Sequence, residues 1–154
     1  MSIPKFPAIG MGPDVWGPIF WTTMHIVSLG YSQSPTKMEQ EAAIAFYQSL
    51  SEMIPCPICK VHYRQHLKTA PIESAVKNRD ELVFWVFSLH NKVNVQLGKP
   101  EITFDQYIKN MEALSRGGPV RLPQQSATNA LVGALAIAGI MGGAYYLYTT
   151  FGRK

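Results

Sequence analysis

The sequence predicts an all-α protein: a four-helix bundle with a short fifth helix, followed by one C-terminal transmembrane helix. Three observations carry that reading. Apolar residues recur at helical spacing from Asp14 to Ser115, with no convincing run of strand-like alternation. Cap and breaker residues divide that stretch into five segments of helical length. Beyond it lies a run from Leu122 to Gly152 without a single Asp, Glu, Lys or Arg.

Residues 1–13 contain Pro4, Pro7 and Pro13 and predict an irregular arm without the apolar continuity of a secretory signal. Asp14 is read as the cap of the first helix, with Pro18 in its first turn and Gly30 as its stop. In the second segment, Thr36 followed by Glu39 predicts a capping box, and Ala43, Phe46, Tyr47 and Leu50 supply an apolar face ending before Pro55. A third helix starts at the C-x-x-C, with Pro57 in its first turn and Pro71 closing it. The fourth starts near Arg79 or Asp80 and runs to Gly98-Lys99-Pro100, a glycine and proline stop. Thr103 caps a short fifth helix. The domains expected are therefore the arm (1–13), a helical domain (14–115), a polar Gly/Pro-containing linker (116–126) and a membrane helix (127–151). At 1.5 Å per residue the last covers a hydrocarbon layer of about 30 Å.

The net charge of +4 is placed unevenly. Residues 1–115 hold ten basic and ten acidic side chains, and the excess comes from Arg116, Arg121, Arg153 and Lys154, which bracket the uncharged run. A neutral domain with basic membrane flanks accounts for this, so no nucleic-acid partner is expected.

The chain has two cysteines, both in "IPCPICKVHYRQH". Cys56 and Cys59 have the spacing of a redox dithiol. Pro55 and Pro57 fix the backbone there, and a helix N-terminus would favour a Cys56 thiolate. With His62 and His66 the pair also has zinc-type ligands, although all four lie on one helix start and would close a tetrahedron only by distorting it. Two inert buried cysteines are the third reading. "WGPIFWTTMH" puts Gly17, Trp21 and His25 four residues apart on one face. "HNKVNVQLGKP" gathers His90, Asn91, Asn94 and Lys99 near a helix end. Aromatic rings, imidazoles, amides and a cation suit a planar ring system bearing phosphates. Each residue alone also fits an ordinary core.

In combination, W-G-x-x-x-W-x-x-x-H, then C-x-x-C, then H-N-x-V-N-x-x-L-G-K-P resembles the Erv/ALR family of FAD-linked sulfhydryl oxidases over about residues 14–111. The resemblance implies a helical bundle holding FAD, and a homodimer. It implies that Gly17, Trp21, His25, His90, Asn91, Val93, Asn94 and Lys99 contact the flavin cofactor and that Cys56 and Cys59 are the catalytic pair. It further implies thiol-containing protein substrates, met directly or through a partner dithiol protein, and electron transfer through FAD to dioxygen. Cellular members usually add a shuttle cysteine pair and a cysteine after "LGKP". Here the sequence reads "LGKPEITFDQY" with no third cysteine. That minimal form resembles members encoded by large DNA viruses. The competing readings are a non-catalytic membrane scaffold and a zinc-stabilised adaptor. The span at 127–151, with only three residues after it, predicts a tail anchor with the helical domain cytosolic, at a virion or viral assembly-site membrane. The flanking charges, two against two, do not decide orientation.

Overall fold

A computed structural model describes residues 10–117. Among these, five α-helices and one 3-10 turn account for all regular structure: α1 (Pro13–Leu29), α2 (Lys37–Met53), α3 (Pro57–Thr69), the turn Ile72–Ser74, α4 (Arg79–Gln96) and α5 (Phe104–Ser115). No helix among the described residues is long and apolar enough to cross a membrane. The expected span at 127–151, most of the linker and most of the N-terminal arm lie outside the described residues.

The helix starts follow local chemistry. Thr36 and Glu39 form the expected capping box on α2, and Thr103 with Gln106 forms another on α5. Asn78, which the sequence reading passed over, caps α4 by accepting from the Glu81 N–H at 2.9 Å. One expectation is corrected. α1 starts a residue before Asp14, because Pro13 occupies the first helical position, where its missing N–H costs nothing, and Gly12 is the cap. Asp14 is then a first-turn acid, favourable at the helix dipole, and Pro18 lies inside the helix rather than in its first turn.

α1 packs on α4, and α2 packs on α3. One core joins them: Met24 from α1, Tyr47 and Leu50 from α2, Tyr63 from α3, and Leu82, Trp85, Val86 and Leu89 from α4. Each fully buried aliphatic side chain contributes about 2 kcal/mol. Buried hydroxyls and an indole lock neighbouring elements together. Tyr47 donates to the Met24 carbonyl at 2.8 Å, Tyr63 to the Tyr47 carbonyl at 2.9 Å, and the Trp85 indole to the Ala70 carbonyl at 2.9 Å. A second, smaller cluster of Val83, Phe87, Tyr107 and Met111 seats α5 on α4.

Candidate functional site

Cys56 and Cys59 are joined in a disulfide with their Cα atoms 5.2 Å apart. Cys56 is the N-cap of α3, and its sulfur accepts from the Cys59 N–H at 3.3 Å. Pro57 takes the first helical position, and the amide at the third, that of Cys59, faces that sulfur. α3 carries Lys60, Arg64 and Lys68 and no acidic residue. Once the disulfide opens, a Cys56 thiolate would therefore meet an N–H donor, the positive end of a helix and a basic helix surface, all of which lower a thiol pKa. Both cysteines are half-buried against the main core, and Ile58 between them is exposed. The sulfurs are bonded to each other, and no three His, Cys, Asp or Glu among the described residues are placed to share a metal. His66 instead pairs with Gln96 of α4 at 3.1 Å.

The second part of the site is built by α1 and α4. Trp21 and His90 stack with ring centroids 4.1 Å apart and planes 3° from parallel. His90 Nδ1 lies 3.0 Å from His25 Nε2, so one ring donates to the other. Both imidazoles are buried, and burial pushes His25 down to about 4. His90 is pushed down to about 3, first by burial and then by the nearby His25 and Lys99 charges. At neutral pH the pair is uncharged. The sequence reading missed Tyr107 and Ser28. The Tyr107 ring sits 5.0 Å from that of His25, and burial raises its phenol to about 12. Ser28 donates to the His25 carbonyl at 2.9 Å.

The remaining residues expected at the cofactor fall into two groups. Gly17 lies one turn before Trp21, and a Cβ built there would meet nothing within 4 Å, so the helix surface beside the stack is open. Val93 is half-buried on α4, whereas Asn91 and Asn94 are buried and bonded to each other at 3.4 Å. Lys99 follows the C-terminus of α4. There Gly98 takes a φ of 67°, and the amides of Gly98 and Lys99 return to the Val95 and Asn94 carbonyls at 3.0 and 2.8 Å. This double bond pattern needs a left-handed residue after the cap, hence the glycine.

The arrangement suits a ring-bearing, anionic ligand. Trp21 and His90 offer stacked aromatic surface, the helix next to them is open at Gly17, and Lys99 places positive charge close enough to disfavour protonation of His90. The disulfide and the stack share one core, because Cys56, Cys59, Trp16, Phe20 and Trp21 all pack against the same cluster.

The Erv1 / Alr family model matches residues 18–112. The chain is 34% identical over 103 residues to a probable FAD-linked sulfhydryl oxidase of Acanthamoeba polyphaga mimivirus, covering 66% of this chain and 72% of that one. It is 33% identical over 92 residues to the FAD-linked sulfhydryl oxidase of African swine fever virus, isolate Tick/Malawi/Lil 20-1/1983, covering 60% and 76%. Among solved structures, the FAD binding domain of Erv1 from Saccharomyces cerevisiae superposes with a TM-score of 0.61 at 28% identity, covering 66% of this chain and 94% of that one.

Proposed function

The chain belongs to the Erv1/Alr family, and on that premise we propose that it is an FAD-dependent thiol oxidase that forms disulfides in protein substrates. The observation that carries this is the Cys56–Cys59 disulfide at the N-terminus of α3, seated on the same core as the Trp21–His90 stack. Two substrate thiols are oxidised to one disulfide while Cys56–Cys59 is reduced to a dithiol. A substrate thiolate attacks Cys56, which lies outside the helix after exposed Pro55, and Cys59 leaves as thiolate. A second substrate thiol then resolves the mixed disulfide. FAD, when bound, supplies the two-electron acceptor that restores the disulfide and passes the electrons to dioxygen, giving hydrogen peroxide. Trp21 and His90 would hold the flavin cofactor by ring contact, Gly17 would let it approach α1, and Lys99 would pair with its phosphates. The test is the purified protein itself. Flavin absorbance at one equivalent, with peroxide released in proportion to dithiol consumed, is expected. Colourless protein with stoichiometric zinc would overturn the proposal.

The oxidase is proposed to act as a homodimer. Support comes from α1, where Val15, Ile19, Ile26 and Leu29 form an exposed apolar row at helical spacing. Between them, the Thr22 and Thr23 hydroxyls are spent on the Pro18 and Ile19 carbonyls at 2.8 and 2.9 Å. A second copy covering this row would strand no polar group, and Ile19→Glu should give a monomer in light scattering. We further propose a membrane anchor at 127–151 with the helical domain on the cytosolic side of a viral assembly membrane. The uncharged run and the viral relatives support it. Protease added outside sealed vesicles should then digest the helical domain of the full chain, and protection of that domain would reverse the orientation.

A further inference from the structure

Asn91 was expected to touch the cofactor, but its side chain is committed elsewhere. Its Oδ1 accepts from the Ile102 N–H at 3.1 Å and from Asn94 Nδ2 at 3.4 Å, which uses both lone pairs. Its Nδ2 donates to the Ile102 carbonyl at 2.8 Å. The amide thus pairs with both backbone groups of one residue, as a neighbouring strand would. Only one N–H remains, on a residue that is 8% exposed.

Ile102 lies in the connection between α4 and α5, just before the Thr103 cap. The other end of that connection is fastened by the Lys99 N–H to the Asn94 carbonyl at 2.8 Å. Between the two fastenings are only Pro100 and Glu101. Lys99 therefore has little freedom to move away from the end of α4, and its charge bears on His90. The same anchor sets where α5 begins and so where Tyr107 meets the His25 ring.

We propose that Asn91 is a positioning residue rather than a cofactor ligand: through Ile102 it clamps the α4–α5 connection and so presents the Lys99 ammonium to the anionic part of a ligand stacked at Trp21 and His90. The inference rests on the cofactor reading of that site.

The test is a double-mutant cycle on the full chain, stripped of flavin and titrated with FAD or with riboflavin, which lacks the phosphates. Lys99→Ala should weaken FAD about tenfold and leave riboflavin unchanged. Asn91→Ala should weaken FAD similarly, and the double variant should be no worse than either single one, because the clamp acts only through Lys99. The salt dependence of FAD binding should flatten equally in all three. Additive losses, or an Asn91→Ala protein that keeps the wild-type salt dependence, would overturn the inference while sparing the cofactor reading. No effect of Lys99→Ala on FAD would overturn the inference, and failure to bind either FAD or riboflavin would overturn the cofactor reading. If Asn91→Ala does not fold, Asn91→Ser keeps a neutral side chain without the paired amide, and the same cycle is read from it.

Discussion

α3 buries only Tyr63, whereas α4 buries nine of its residues, three of them the polar His90, Asn91 and Asn94. On the proposed reading the two helices serve the two halves of one reaction. A disulfide that exchanges with thiols on another protein has to be reached, and α3 holds it at an exposed helix start provided with an amide, a dipole and a basic helix surface. A pocket that holds a ring system has to be rigid, and α4 supplies rigidity by enclosing imidazoles and amides at a cost in desolvation. Activity should therefore separate from stability at α3 and remain tied to it at α4.

The largest expected effect is at the cysteines. Cys56→Ser and Cys59→Ser should each abolish dithiol oxidation, since the chain has no other cysteine. Flavin content and melting temperature should stay near wild type, because the disulfide closes only a short loop. A variant that lost its flavin together with its activity would break the separation.

At α4 the effects should travel together. His90→Ala removes the partner of buried His25 Nε2 and one half of the stack with Trp21. A loss on the order of 3 kcal/mol is expected from the cavity and the unpaired imidazole. Flavin release should accompany it, because a ligand that binds only the folded state stabilises that state. Thermal melts with and without added FAD measure both at once, and unchanged flavin content would remove His90 from the pocket.

pH sharpens the same contrast. In the folded protein His25 and His90 hold protons only below about 4 and about 3. In the unfolded chain they do so below about 6.5. Between these limits the unfolded state binds more protons, so stability is full above pH about 6.5 and falls as pH drops toward 3. Urea midpoints should fall through that window, and His25→Phe with His90→Phe should flatten the slope. An equal slope in the double variant would place its origin elsewhere.

Much of this was legible in the sequence, for physical reasons that differ by element. Thr36 with Glu39, Thr103, Pro57 and the Gly98–Pro100 stop are local signals, and the helices begin or end where they stand. Asp14 misled because Pro13 is an even better first residue, and the helix took it. Asn78 with Glu81 three residues later was an available cap signal. Trp21, His25 and His90, which the sequence offered in two separate motifs, come together. Tyr107 was hidden because it shares the apolar face of α5 with Met111 and reads as ordinary core. The work of Asn91 was hidden for another reason: its partner is the backbone of Ile102 in a connecting loop, and a side chain bonded to main chain leaves no residue-type signature.

A smaller effect tests whether α4 is held by its start as well as its packing. Asn78→Ala removes the oxygen that accepts from the Glu81 N–H and should cost about 1 kcal/mol. Because the helix start is remote in sequence from His90, flavin affinity should hold while the melting temperature falls. A matching loss of flavin would mean that α4 moves as one rigid unit from cap to pocket.

The smallest effect is expected on α3, at the ion pair that spans the disulfide loop. Arg64 reaches back to Glu52 at the end of α2, donating from two nitrogens to one carboxylate oxygen at 3.2 and 2.6 Å. The geometry is good, and the guanidinium holds the carboxyl below its ordinary range. Yet both side chains are open to solvent, 43% and 65% exposed, where water and salt screen the attraction. Tyr63, buried on the same helix and bonded to the Tyr47 carbonyl, already fixes α3 to α2. Arg64→Gln should therefore leave the melting temperature and the turnover of a small neutral dithiol unchanged within error. A marked slowing at unchanged stability would show that the pair sets the attitude of the disulfide, and that the exposed helix is as finely positioned as the buried one.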